Sequence, residues 1–88
     1  MSEENTNATS GQKEVVIYST PTCHFCVLAK AFFDDNNIAY TNYDVQADPE
    51  KGKEMVERSG QMGVPVIFIG EDMTVGFDEA RIRELLGM

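Results

Sequence analysis

The two cysteines of the chain, Cys23 and Cys26, lie three positions apart in the stretch TPTCHFC at residues 20–26. Thiols at this spacing on a helix lie one turn apart on the same face, within reach of each other for a disulfide. The pattern is typical of a redox pair, of part of a metal site, or of two small apolar side chains in a core. The neighbouring elements decide between these interpretations.

The cysteines lie at the junction between a predicted strand and a predicted helix. EVVIYS at residues 14–19 is a short, β-branched apolar run, typical of a strand that is buried on both faces. A proline interrupts the pattern, and a helix is predicted over residues 23–36. On that helix Cys26, Ala29 and Phe33 form an apolar stripe that should face the core.

This location predicts different roles for the two thiols. Cys23 falls at the helix N-terminus, where unpaired backbone N–H groups and the helix dipole favour a thiolate. Cys26 belongs to the apolar stripe, so we expect it to be the more buried sulfur. We therefore expect Cys23 to attack a substrate disulfide and Cys26 to resolve the mixed disulfide that results.

His24 and Phe25 occupy the two positions between the cysteines, and each leaves two interpretations open. His24 is the only histidine of the chain, and in its protonated form it would stabilise a neighbouring thiolate. The alternative is an exposed first-turn residue with little effect. Phe25 is expected either on the solvent side, as a contact surface for a partner, or folded back over the core.

The rest of the sequence predicts an α/β domain with the element order βαβαββα. Further strands are predicted at residues 39–45, 64–69 and 73–76, and further helices at residues 49–59, after the N-cap Asp48, and 79–86, after the N-cap Asp78. A helix joins the first two strands, so they should be parallel, whereas a three-residue loop containing glycine predicts an antiparallel final hairpin. The expected result is a four-stranded mixed sheet with helices on both faces.

Composition and charge argue against some classes of function and indicate how the chain is organised. The chain has 88 residues, with 15 acidic against 7 basic side chains and a net charge of −8, which argues against binding to nucleic acid or to an anionic membrane surface. Residues 1–12 are predicted to be a disordered tail and residues 13–88 a single domain. Neither an apolar signal segment nor a membrane span is predicted, so we expect a cytoplasmic protein. We also expect the protein to be a monomer.

A metal centre is one alternative to a redox pair. A structural tetrahedral site needs four ligands, and the chain offers two cysteines and one histidine, so the count excludes a closed site within one copy. An iron–sulfur cluster or metal carrier assembled as a dimer through Cys23 remains an alternative. A pure interaction module with idle thiols is another.

Four features make the chain resemble a glutaredoxin, and more narrowly a glutaredoxin-like redoxin of the NrdH kind, within the thioredoxin fold. They are YSTPTCHFC, SGQMGVPVIFI, VGFD and the element order, which together cover about residues 14–87. The resemblance implies a thiol–disulfide oxidoreductase that reduces protein or small-molecule disulfides, with targets such as ribonucleotide reductase. It implies no bound metal or organic cofactor.

The resemblance also implies a substrate-binding site around the cysteines. Pro65 would follow a cis peptide bond opposite the cysteines, and the backbone of Val64 would pair with an extended substrate. Gly76 would allow close backbone approach, and Asp78 would help to bind a carboxylate at the N-terminus of the last helix. The implied substrate-binding residues are Thr22, His24, Phe25, Val64, Pro65, Gly76, Phe77 and Asp78.

The chain departs from glutathione-using glutaredoxins at three places. Those proteins carry Cys-Pro-Tyr-Cys, a basic residue shortly before the first cysteine, and paired glycines near the last helix. Here the intervening pair is His-Phe, residues 19–22 carry no charge, and the glycine pair becomes Val75-Gly76. These differences favour thioredoxin reductase as the electron donor, with glutathione as the alternative reductant.

Overall fold

The computed structural model describes residues 13–88, and the tail predicted at residues 1–12 lies outside the described residues. The predicted order βαβαββα is confirmed. The strands are β1 (Val15–Ser19), β2 (Thr41–Asp44), β3 (Val66–Ile69) and β4 (Asp72–Val75), and the helices are α1 (His24–Asp35), α2 (Pro49–Ser59) and α3 (Glu79–Leu86). Within these residues no helix is both long enough and apolar enough to cross a membrane.

The strands form one four-stranded mixed sheet in the order β2-β1-β3-β4. β1 pairs in parallel with β2, as expected for two strands that a helix connects. β1 and β3 are antiparallel, and so are β3 and β4. The central position of β1 explains why all five of its residues are buried, as its apolar sequence predicts.

The final hairpin is tighter than the sequence indicated. Ile69 pairs with Asp72, so the loop contains only Gly70 and Glu71, and the prediction of a three-residue loop was wrong. Gly70 has a φ of 62° and stands at the first of the two loop positions, which is the pattern of a type II′ turn. This turn brings Asp72 into β4, one residue earlier than predicted.

The predicted start of β3 at residue 64 was also wrong. The strand begins at Val66, because Pro65 has no backbone N–H to contribute to the ladder. Val64 and Pro65 therefore lie just outside the sheet, immediately before the start of β3. β2 is likewise shorter than the predicted range of residues 39–45.

Two apolar clusters lie on opposite faces of the sheet, because successive side chains of a strand point to opposite sides. One cluster packs α1 and α3 against the sheet and contains Val15, Ile17, Ala29, Phe32, Phe33, Ile67, Ile69 and Ile82. The other packs α2 and contains Val16, Tyr18, Met55, Val66 and Phe68. The prediction of helices on both faces is confirmed.

A polar network fixes α2 against its face of the sheet. The buried Tyr18 hydroxyl donates a hydrogen bond to the Glu54 carboxylate and accepts one from Arg58, with 2.9 Å between Nη1 and the hydroxyl oxygen. The Arg58 guanidinium lies 3.8 Å from the centroid of the Phe68 ring. Hydrogen bonds and a cation–π contact therefore tie α2 to both central strands.

Candidate active site

The turn after β1 places Cys23 at the N-cap of α1. The Cys23 N–H donates to the Thr20 carbonyl oxygen at 3.3 Å, and the Cys26 N–H donates to Cys23 Sγ at 3.2 Å. The sulfur therefore accepts the bond that the side-chain oxygen of an N-cap residue normally accepts. The first turn of α1 carries no acidic side chain, so no neighbouring charge on the helix opposes an anion there.

The two sulfurs differ in exposure as predicted. Both cysteines are free thiols; Cys23 is half-buried, whereas Cys26 is fully buried. Cys26 lies on the inner face of α1, where Ala29 and Phe33 continue the apolar stripe. Only one of the two sulfurs can therefore meet a reactant from solvent.

The buried Cys26 thiol is held in its neutral form. Burial raises the pKa of Cys26 to about 12, and the hydrogen bond with Cys23 acts in the same direction. A hydrogen bond with the backbone of Thr20 and the positive charge of Lys30 lower the pKa of Cys26, but do not cancel the effect of burial. Cys26 is thus a proton-bearing partner in the dithiol state.

The segment between α2 and β3 faces the exposed sulfur. The Cys23 thiol donates to the Val64 carbonyl oxygen, with 3.8 Å between Sγ and the oxygen. The Val64–Pro65 peptide bond is cis, as predicted. The Pro65 carbonyl oxygen accepts a hydrogen bond from the Gly76 N–H at 2.8 Å, which joins this segment to the end of β4.

The residues after β4 have structural roles in addition to those implied by the sequence. Gly76 has a φ of 84°, in the left-handed region that favours glycine. A Cβ at this position would meet no atom within 4 Å among the described residues, so close packing does not require a glycine here. The Phe77 ring packs against Phe32 with 5.9 Å between centroids. Asp78 is the N-cap of α3, and its Oδ1 accepts from the Arg81 N–H at 3.2 Å.

Three further predicted site residues lie at the surface around Cys23. Thr22 is exposed in the turn before it. The rings of His24 and Phe25 are exposed and meet edge to face, with 5.4 Å between their centroids. Phe25 is 56% exposed, so of its two predicted orientations the solvent-facing one is observed.

One feature of this region was missed by the sequence interpretation. The side-chain amide of Gln61 makes hydrogen bonds to the backbone of Gly63, next to Val64. The same loop exposes Met62, which is 80% accessible. A side chain that bonds to the backbone two positions away leaves no periodic pattern, so only the spacing Gly-Gln-Met-Gly was available as a signal.

A metal site finds little support in the side chains. No group of three or more His, Cys, Asp or Glu side chains within residues 13–88 is arranged to hold a metal ion.

The chain is similar to known proteins over most of its described residues. The family model described as Glutaredoxin matches residues 15–74. An uncharacterized glutaredoxin-like 8.6 kDa protein of the rubredoxin operon of Clostridium pasteurianum is 40% identical over 72 residues, which cover 82% of this chain and 96% of that protein. Glutaredoxin 3 of Escherichia coli K12 is 34% identical over 65 residues, covering 74% of this chain and 78% of that one.

A similar solved structure is that of the glutaredoxin-like protein NrdH-redoxin from Escherichia coli. It superimposes with a TM-score of 0.72 at 24% sequence identity, covering 82% of this chain and 93% of that one. At this identity the similarity shows the fold.

Proposed function

Because this chain belongs to the glutaredoxin family of thiol–disulfide oxidoreductases, we propose that it reduces protein disulfides with Cys23 as the attacking thiol and Cys26 as the resolving thiol. The observation that carries the assignment is the difference between the sulfurs. Cys23 is half-buried and bonded by a helix N-terminal N–H, whereas Cys26 is buried and protonated. Only Cys23 combines access to a substrate with a backbone N–H that donates to its sulfur.

In the first step the Cys23 thiolate attacks one sulfur of the substrate disulfide. A bond forms between Cys23 Sγ and that sulfur, the substrate S–S bond breaks, and the departing thiolate takes a proton from solvent. Loss of the Cys23 proton also frees the Val64 carbonyl oxygen, which accepts from that thiol in the dithiol state. The carbonyl is then available to a backbone N–H of the substrate segment.

In the second step Cys26 loses its proton and attacks Cys23 Sγ. The internal disulfide forms, the mixed disulfide breaks, and the second substrate thiolate leaves and is protonated. Two electrons and two protons have then passed from the dithiol to the substrate. No bound cofactor is required, and an external reductant restores the dithiol.

We assign thioredoxin reductase as that reductant, with glutathione as the alternative. The segments next to Cys23 support this choice, because residues 19–25, 62–65 and 75–77 contain no lysine or arginine to bind the carboxylates of glutathione. The resemblance implied that Asp78 helps to bind a carboxylate, but its own carboxylate accepts from the Arg81 N–H in the first turn of α3 and so competes with a ligand carboxylate for that group.

The proposal also includes the oligomeric state, the cellular compartment and the first target to test. Cys23, Cys26 and Val64 all come from one chain, so the site is complete in a monomer. A dithiol that must be regenerated suits the reducing cytoplasm. Ribonucleotide reductase is the first target to test, together with other enzymes that form a disulfide during turnover.

The test supplies NADPH with thioredoxin reductase in one assay, and with glutathione and glutathione reductase in another. Insulin is the disulfide substrate, and NADPH oxidation is followed. We expect turnover with thioredoxin reductase and none with the Cys23→Ser variant. Turnover only with glutathione would overturn the choice of reductant, and no turnover in either assay would overturn the proposed function.

A further inference from the structure

The Gln61 side chain pairs with both backbone polar groups of Gly63. The Gly63 N–H donates to Gln61 Oε1 at 2.6 Å, and Gln61 Nε2 donates to the Gly63 carbonyl oxygen at 3.0 Å. A neighbouring strand would offer the same donor and acceptor pair. The amide thus supplies ladder-like bonds to a residue that lies outside the sheet.

The Gln61 amide is itself connected to the end of α2. Ser59, the last residue of that helix, donates from its hydroxyl to the Met55 carbonyl oxygen at 2.6 Å. The same hydroxyl oxygen accepts from the backbone N and from Nε2 of Gln61, each at 3.4 Å. Because the Tyr18 network fixes α2 to the sheet, the loop is connected through Ser59 to a rigid element.

The residue that Gln61 holds lies next to the part of the backbone that faces the reactive sulfur. Gly63 directly precedes Val64, whose carbonyl oxygen is 3.8 Å from Cys23 Sγ. β3 begins only at Val66, so the bond from the Gly76 N–H to the Pro65 carbonyl oxygen supports this segment on its C-terminal side, and the Gln61 amide supports it at Gly63. Val64 lies between these two fixed points, so the orientation of its backbone depends in part on what fixes Gly63.

We propose that Gln61 is a positioning residue for substrate binding, which holds the backbone of Gly63 so that Val64 can pair with the extended segment of a protein substrate. The proposal rests on the proposed function. Gln61 acts through Gly63 and does not contact either sulfur. When the amide is removed, the loop gains conformational freedom that substrate binding must remove, so the effect falls on binding and leaves the sulfur chemistry unchanged.

Gly63 offers an independent way to break the same bridge. A Cβ at Gly63 would lie 2.9 Å from Gln61 Oε1, so an alanine there must displace the amide. The φ of Gly63 is not among the positive values, so its backbone tolerates alanine. Gly63→Ala and Gln61→Ala should therefore both break the hydrogen bonds between Gln61 and Gly63, the first by displacing the amide and the second by removing it.

The experiment measures the Gln61→Ala, Gly63→Ala and double variants of the full chain. Steady-state reduction is compared for insulin and for the small disulfide dithionitrobenzoate, which has no peptide segment. For each single variant we expect KM for insulin to rise about three- to tenfold, the size expected when one or two hydrogen bonds are lost, with kcat nearly unchanged. Reduction of the small disulfide should not change, and the double variant should match the single ones.

The matched control is Gln46→Ala, the same substitution at an exposed glutamine between β2 and α2. It should leave both reactions unchanged. A lower kcat with unchanged KM, an equal loss with the small disulfide, or additive effects in the double variant would each overturn the proposal. Failure of the unmodified protein to reduce either disulfide would instead reject the proposed function, which separates the two outcomes.

Discussion

The starts of α1 and α2 have similar backbone geometry but differ in the atom that caps them. Cys23 has φ −83° and ψ 116°, and Asp48 has φ −124° and ψ 93°, both in the extended region. Asp48 Oδ1 accepts from the N–H groups of Glu50 and Lys51 at 3.2 and 3.4 Å, whereas Cys23 Sγ accepts from that of Cys26 at 3.2 Å. A carboxylate caps α2, and a thiol caps α1.

The start of α3 follows the pattern of α2, since the Asp78 carboxylate caps it. The protein therefore has a carboxyl group at two helix N-termini and a sulfur at the third. A cysteine can thus take the capping position at a helix start without a different type of backbone conformation.

The largest effect is expected when Cys23 is replaced by another capping residue. Cys23→Ser and Cys23→Asp should lose disulfide reduction by about a thousandfold or more, because the nucleophile is gone. Both variants retain a good N-cap, so thermal unfolding should show a stability close to that of the unmodified protein. Cys23→Ala is the matched control that loses the cap as well. Equal destabilisation by aspartate and alanine would refute the capping role.

Replacing Cys26 should stop the reaction after its first step. In Cys26→Ser the Cys23 thiolate still attacks, but no second thiol can displace the substrate. The mixed disulfide between Cys23 and a protein substrate should accumulate to nearly one per molecule, as measured by mass spectrometry under non-reducing conditions. Accumulation on Cys26 in the reciprocal Cys23→Ser variant would reverse the assigned roles.

The second step should be faster at higher pH. Burial is the largest cause of the raised pKa of Cys26, and it persists when Cys23 is in a mixed disulfide and no longer bonds to Cys26. While the pH stays below that pKa, the thiolate fraction rises about tenfold per pH unit, and resolution should accelerate accordingly. Rapid-mixing measurements of substrate release across the neutral range test this. A rate independent of pH would contradict it.

A smaller effect is expected from Lys30, which lies one helical turn beyond Cys26 and is half-buried. Its charge lowers the pKa of Cys26 against the effect of burial. Lys30→Gln should therefore slow resolution of the mixed disulfide by about two- to fivefold at neutral pH, in the same rapid-mixing assay. The control is Lys53→Gln on the exposed face of α2, which should not change the rate.

The smallest effect on activity is expected at the carboxylate cap of α2. Asp48→Ala should lower the free energy of unfolding by about 1 kcal/mol, because two backbone N–H groups lose their acceptor. The rate of Cys23 alkylation should not change, since α2 carries neither sulfur. Denaturant unfolding and an iodoacetamide time course measure the two quantities. A large drop in alkylation would show that the two helix starts are coupled.

The sequence predicted the features that depend on neighbouring residues. The apolar run of β1, the Asp48 and Asp78 caps and the different burial of Cys23 and Cys26 all follow from local propensity and periodicity. The family motif added the cis bond before Pro65, which local propensity alone does not indicate. These elements position the two sulfurs, so the reactive part of the site could be predicted from the sequence.

The features that escaped prediction depend on strand pairing or on individual side-chain hydrogen bonds. The loop of the β3–β4 hairpin depends on whether Asp72 pairs with Ile69, which the glycine alone does not specify. The bridge from Gln61 to Gly63 joins a side chain to the backbone, and the Tyr18–Glu54 bond joins residues 36 positions apart. Neither interaction produces a period or a composition signal.

The complete burial of Cys26 has a consequence for how the protein exchanges its partners. No outside thiol can touch that sulfur, so every electron pair enters and leaves through Cys23. The electron donor and the oxidised target must consequently compete for one small area and visit it in turn. The protein can then act only as a shuttle that leaves one partner before it meets the next, with the alternating kinetics of a ping-pong carrier.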